Sequence, residues 1–336
     1  MNVAVVGTGG AGSVFSMILA KNGHKVTMLA PDQEQENILT ETHKSPWLKD
    51  LELPESIEFS VNPEVVRGKE MVVLACPSFA MRRECEKIAP YLDEEMTIVS
   101  VVKGLEADTN LLMSEVVAEV TGYNVAILSG PIHTVELAKG LPSGVVVASK
   151  NKREAKKIQD AFMNETLRVY TSQDVVGVEI AGSLKNVIAL CCGCSDGLGF
   201  EDNTKALIMT RGMGELTKFG VHFGAEAETF AGLSGFGDLV NTCTSPHSRN
   251  RKVGELMGKG YTLEEAMKEV GSVAEGYYAC KAAKELADRE GMNLPIIFAA
   301  YDVLYNGVAP QDAVAHLMSQ RKMDELGRGT GWFLDY

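Results

Sequence analysis

The sequence predicts an α/β domain built on a parallel, doubly wound sheet and followed by an all-helical domain. Three observations carry this. Short β-branched runs alternate with helix-like stretches over the first half of the chain, and strands separated by crossover helices pair in parallel. A G-x-G-x-x-G loop joins the first such run to the first helical stretch. Near Asp174 the pattern changes, and helical segments then follow one another without a convincing strand.

Taken in order, Asn2 to Val6 is an apolar run ending at GTGGAG, and SVFSMILAKNG has helical spacing and closes on Gly23. HKVTML, MVVLA from Met71, TIVSVV from Thr97, VAIL from Val125 and GVVVAS from Gly144 supply the further strands. Residues 1–173 are therefore expected to form the sheet domain and 174–336 the helical one. EIAGSLKNVIAL lies in its first long helix, YYACKAAKELADREGM forms another, and the closing GRGTGWFLDY reads as an irregular tail. A chain of 336 residues exceeds the usual single-core size, so two domains are consistent with its length.

Composition excludes several classes. With 45% hydrophobic and 23% charged residues the chain has an ordinary globular make-up. The longest apolar runs, such as IIFAAYDVLY, are short and interrupted, so no membrane insertion is expected, and the N-terminus lacks the charged region of a signal peptide. A cytoplasmic location is the expectation. A net charge of −13, from 32 basic and 45 acidic side chains, disfavours nucleic acid or an anionic membrane as partner. Seven cysteines, an odd number, read as reduced thiols. The CCGC run at Cys191–Cys194 has no second ligand pair at zinc-like spacing, so its thiols are expected to pack as small apolar groups and no metal is expected.

Gly7, Gly9 and Gly12, with Gly10 and Ala11 between them, form the Rossmann dinucleotide fingerprint. The first glycine permits a tight turn, the second lets backbone approach a pyrophosphate, and the third lets helix and sheet pack closely. Asp32 follows the second strand, where a carboxylate accepts from the ribose hydroxyls of NAD. The first arginine is Arg67, so NAD is expected ahead of NADP. Asp32 also reads as a simple turn residue after Pro31.

Lys185 poses a separate problem. Val178, Ala181, Gly182, Lys185, Ile188 and Ala189 fall on one helical face, which puts an ammonium into an apolar stripe. Such a lysine either snorkels to water or performs chemistry. Other segments stand out. Lys103 in KGLE and Gly130 in SGPIHTVELAKG follow strands, where an α/β sheet presents ligands. Asp238 sits among glycines in GLSGFGDLVNTCTS, and Ser248, Arg249 and Asn250 open a helix in SRNRKVGELMGKG. Helix dipole, free N–H groups and a guanidinium there suit a phosphate ester. Taken singly, the same residues read as a solvated loop lysine, an N-cap and a capped surface helix.

Taken jointly, DVVGVEIAGSLKNVIAL, DGLGFEDNTKALIMTRGMGEL and TFAGLSGFGDLVNTCTSPHSRNRKVGELMGKG resemble the NAD(P)-dependent glycerol-3-phosphate dehydrogenases. LACPSFAMR, VVKGLE, LSGP, VAEG and VLYNG fall in that family's order. The resemblance implies a Rossmann domain and a helical domain with the site in the cleft between them, and commonly a homodimer. It implies that Lys185 is the general base, with Lys103, Gly130, Asp238, Thr242, Ser248, Arg249 and Asn250 around a phosphorylated small-molecule substrate. Thr134, Val273, Glu275 and Arg249 would lie near the cofactor. The hydroxyl proton then leaves as hydride moves, and a lysine in an apolar site near the cation Lys103 is suited to take it. Four positions depart from the family: Ala11 replaces a tryptophan, Pro31 an arginine, and Ile132 with His133 a serine and phenylalanine. Ile132 is the reason to keep a dehydrogenase of another phosphorylated or acidic hydroxy compound as an alternative. A non-catalytic dinucleotide-responsive regulator is the second, against which the retained Lys185, Asp238 and Arg249 speak.

Overall fold

The computed structural model describes residues 1–48, 51–271 and 274–321. Val273 and the GRGTGWFLDY tail, both singled out above, lie outside the described residues. Eight strands form one sheet: β1 (Asn2–Val6), β2 (Lys25–Leu29), β3 (Glu58–Ser60), β4 (Met71–Leu74), β5 (Thr97–Ser100), β6 (Ala126–Ser129), β7 (Ser143–Ala148) and β8 (Leu167–Ser172). Their order is β3-β2-β1-β4-β5-β6-β7-β8. Between them run α1 (Gly10–Lys21), α2 (Gln33–Thr42), α3 (Met81–Ile88), α4 (Met113–Thr121), α5 (Thr134–Ala138) and α6 (Lys152–Phe162).

The sheet is parallel at every pairing except one, since β7 runs antiparallel to β6. The expected doubly wound parallel sheet is thus present, and the single antiparallel pairing is a detail the expectation did not include. The β6–β7 connection, residues 130–142, carries only the five-residue α5. Two strands were not anticipated, β3 and β8. The uninterrupted apolar runs of the central strands follow from burial on both faces. Val3 and Val5 of β1 belong to the core cluster that includes Phe15 and Phe162, whereas Ala4 and Val6 belong to the opposite cluster with Leu74 and Ile98.

After β8 the described chain holds α7 (Val175–Gly197), α8 (Asp202–His222), α9 (Ala227–Phe230), α10 (Asp238–Thr244), α11 (Arg249–Gly258), α12 (Leu263–Val270), α13 (Glu275–Arg289), α14 (Pro295–Tyr305) and α15 (Pro310–Met318). By length and composition α7 is apolar enough to cross a membrane, but 89% of its apolar window is buried within the protein. It is the long apolar stretch that the sequence reading, centred on α14, passed over.

The chain divides into two compact units. One holds Met1–Ser183 with Gly220–Asn241, and the other Leu184–Phe219 with the described residues from Thr242 onward. The cut expected at 173/174 marks the end of the sheet, and the first unit continues past it. Val175 and Val178 of α7 pack into the sheet's second cluster. Asp174 accepts from Gly177 N at 2.8 Å with one oxygen, and from Glu226 N and Thr229 Oγ1 with the other. That carboxylate ties 226–229 to the sheet-bearing unit.

Within the second unit α7 and α11 meet backbone to backbone. A Cβ added at Gly193 would lie 1.9 Å from Arg251 O, and one at Gly254 would lie 2.0 Å from Leu190 O. Only glycine allows this approach. It sets the start of α11 against the helix that carries Lys185.

Candidate active site

In the first unit the glycine loop is built as the fingerprint requires. Gly7 has φ +112°, and a Cβ on Gly12 would lie 2.1 Å from Gly7 O, so neither position admits a side chain. Gly9 caps α1 with no side chain, and a Cβ there would meet nothing within 4 Å. The open face at Gly9 and the N-terminus of α1 make a cradle that fits a dinucleotide pyrophosphate. Gly10 faces Thr134, whose Oγ1 would lie 3.3 Å from an added Cβ, which brings these two predicted cofactor residues together. Ala11 packs partly buried against the core. Asp32 is exposed and caps α2 by accepting from Gln35 N at 2.9 Å. The turn reading of Asp32 therefore holds, and a capping carboxylate keeps a second oxygen for another donor.

Lys103, Gly130 and Asp238 come together in the same unit. Lys103 Nζ donates to Asp238 Oδ2 at 2.6 Å and to the Gly130 carbonyl at 2.9 Å. Asp238 is 1% exposed, while the Lys103 side chain keeps 21% of its surface. Gly130 has φ +149°, and a Cβ there would lie 3.0 Å from Gly144 O, so the carbonyl reaches Lys103 through a backbone geometry that favours glycine. Asp238 is delivered by a widened turn in which Gly237 N bonds to Gly232 O at 3.1 Å, an i to i+5 closure of the kind found at functional sites. Ile132 packs partly buried against the first core cluster, and His133 Nε2 lies 3.4 Å from Asn241 O.

In the second unit Lys185 is 6% exposed, and its Nζ donates to Thr242 Oγ1 at 2.5 Å. The amine does not snorkel. Ser248 caps α11, accepting from Arg251 N at 3.2 Å, and Arg251 is held by Asp196 at 2.6 Å. Arg249 is exposed at the helix start, and among the described residues it has no ion-pair partner. Asn250 is 9% exposed and is engaged inward with Asn186 and Gly276. Glu275 begins α13, half-buried.

Three polar residues escaped the sequence reading. Asn186, next to Lys185, is 5% exposed. Ser183 accepts from Gly104 N at 2.9 Å and so pins α7 to the loop that carries Lys103. Glu179 accepts from Ser114 N and Oγ at the start of α4, and burial pushes its carboxyl up to about 7 while those hydrogen bonds pull it down. The signal for all three was a polar residue inside an apolar helix. Lys185 alone was read that way.

A glycine cradle at the first strand of a doubly wound sheet, joined to a helical unit with a buried lysine, defines a Rossmann-type dinucleotide-dependent oxidoreductase. Comparison with known proteins narrows the class. Residues 2–155 match the family model of the NAD-dependent glycerol-3-phosphate dehydrogenase N-terminus, and residues 174–315 that of its C-terminus. The chain is 43% identical over 326 residues to a glycerol-3-phosphate dehydrogenase [NAD(P)+] of Clostridium perfringens, covering 96% of this chain and 98% of that one. It is 44% identical over 328 residues to the enzyme of the same name from Thermoanaerobacter, covering 97% and 99%. The crystal structure of glycerol-3-phosphate dehydrogenase from Coxiella burnetii superposes with a TM-score of 0.91 at 32% identity, over 95% of this chain and 99% of that one. The chain belongs to the NAD-dependent glycerol-3-phosphate dehydrogenase family.

Proposed function

We propose that the protein interconverts glycerol 3-phosphate and dihydroxyacetone phosphate, with Lys185 as the proton-transferring group. The observation that carries this reading is an ammonium-bearing side chain, 6% exposed in an apolar helix, with its Nζ on the Thr242 hydroxyl. Burial in an apolar helix disfavours the charged form of an amine, which suits a lysine to proton exchange. A nicotinamide dinucleotide held at the Gly7–Gly12 loop would supply or accept the hydride. Lys185 takes the proton of the substrate hydroxyl during oxidation and returns it to the ketone oxygen during reduction, while Thr242 holds the amine in place. Lys103, fixed by Asp238 and the Gly130 carbonyl, contributes positive charge toward the substrate oxygens. NADH absorbance decay with and without dihydroxyacetone phosphate tests the activity. Decay only with other phosphorylated ketones would favour the altered substrate that Ile132 brings to mind, and binding of NADH without turnover of any of them would favour the regulator.

Arg249 is assigned to the substrate phosphate. Arg251 in the same turn is already committed to Asp196, which leaves the Arg249 guanidinium and the first N–H groups of α11 for an anion. A lysine cannot reproduce a forked contact, so Arg249→Lys is expected to weaken use of dihydroxyacetone phosphate by about 2 kcal/mol, the scale of a charged hydrogen bond. Steady-state kinetics on the ketone check this. Normal kinetics would move the phosphate site elsewhere.

For the cofactor, NAD is proposed ahead of NADP, because the Asp32 carboxylate would repel a 2′-phosphate. The expected result is a higher kcat/KM with NADH than with NADPH, and Asp32→Asn is expected to narrow the gap. A clear NADPH preference in the unmodified protein would overturn the assignment. A homodimer, a cytoplasmic location and a role in glycerophospholipid precursor supply complete the proposal, and light scattering tests the first.

A further inference from the structure

A cavity of about 320 Å³ opens between α7, α8, α14 and α15, wholly within the second unit. Its walls include Cys194 and Leu198 of α7, Ile208 of α8, Ala299 and Val303 of α14 and Val314 of α15, so they are mainly apolar. None of the residues assigned above to substrate or cofactor lines it. Leu207 and Met318 line it too and are exposed, which leaves it open to solvent. Small-molecule sites begin at about this volume, which is roughly twice that of an apolar cavity known to hold benzene.

The polar groups of the cavity are few, and positive charge prevails among them. Arg211 and Arg321 line it, and Glu215 is the single carboxylate among its described lining residues. That carboxylate is engaged by backbone, since it accepts from Ile296 N at 2.7 Å and from Ile297 N at 3.1 Å at the start of α14. Two guanidiniums therefore face one committed acid, in a protein whose net charge is −13. Ser195 lines the same cavity at 2% exposure, and its Oγ has no hydrogen-bond partner among the described residues. A buried hydroxyl left unpaired is unfavourable, and a polar ligand atom would relieve it.

We propose that this cavity is a second ligand site, which binds an aliphatic carboxylate of about ten carbons, with the chain on the apolar walls and the carboxylate drawn to the arginines. A small phosphorylated polyol would leave those walls wet. A neutral hydrocarbon would leave the guanidiniums without an anion.

Isothermal titration calorimetry of the full chain with decanoate, hexanoate and decanol tests this. Decanoate is expected to bind roughly 10²-fold more tightly than hexanoate, because its four extra methylenes leave water. Decanol is expected to bind about tenfold more weakly than decanoate, the scale for losing a charge-assisted contact. Arg321→Gln should weaken decanoate by about tenfold and leave decanol unchanged. Ala299→Phe fills the cavity from α14 and should weaken both by about tenfold or more. Thermal melting and NADH binding check the fold of each variant, and Arg321, being exposed, supplies a substitution that spares the core if Ala299→Phe does not fold. Equal affinity for the two carboxylates, or decanoate binding that neither substitution weakens, would show an adventitious additive only and overturn the site. Absence of decanoate binding would overturn it as well, and dissociation of a dimer by Met318→Glu in light scattering would then give this face to a second copy of the chain.

Discussion

Lys185→Met is expected to abolish most turnover while leaving the fold and NADH binding in place. Methionine keeps a long unbranched stem suited to a helix interior and fills the same apolar stripe, so no cavity opens among the buried neighbours Ala181, Ile188 and Ala189. The structural loss includes the hydrogen bond to Thr242 Oγ1, worth about 1 kcal/mol. Chemistry should fall by on the order of 10²-fold or more, the scale for removing a general acid–base group. Lys185→Arg separates charge from proton transfer, since a guanidinium stays protonated in proteins. It too should be slow. Single-turnover oxidation of NADH measured alongside NADH binding by fluorescence decides the matter. Near-normal turnover with intact binding in the methionine variant would remove Lys185 from the mechanism.

That lysine was legible because its anomaly is local. A single helical period is enough to show an ammonium among small and apolar residues, and the same holds for the glycine loop, whose three positions lie within six residues of each other. Features created by tertiary contact were not legible in this way. Lys103 and Asp238 stand 135 positions apart, and no periodicity relates them; only the family resemblance joined them before the geometry did. Asn186 and Asn250, 64 positions apart, were missed as a pair even though each lies in a quoted motif. The reversal of β7 leaves no mark in the strand itself, because a β-branched run reads the same in either direction. β8 offered a usable signal in LRVYTS, where Leu167 and Val169 are buried and Arg168 and Tyr170 exposed. β3, three residues long, offered almost none.

The second large effect is expected at Lys103. Its ammonium pairs at 2.6 Å with a carboxylate that is 1% exposed. Lys103→Met takes away that counter-charge and leaves the Asp238 carboxylate in a poorly hydrated site. Breaking a buried pair from one side costs about 3 kcal/mol or more, because the surviving charge keeps its desolvation penalty. The Gly130 carbonyl also loses its donor, and the conformation of that glycine then rests on the backbone alone. The variant is therefore expected to unfold at a lower urea concentration, with the slope unchanged, and to lose turnover if the positive charge proposed for the substrate oxygens is needed. Adding Asp238→Asn separates the two losses. The amide keeps the shape of the side chain and carries no charge to desolvate, so the double variant should regain much of the stability and none of the activity. Recovery of both together would mean that Lys103 serves the fold alone. If urea stability is unchanged in Lys103→Met, the pair with Asp238 contributes little to the first unit, and the burial argument fails at its strongest point.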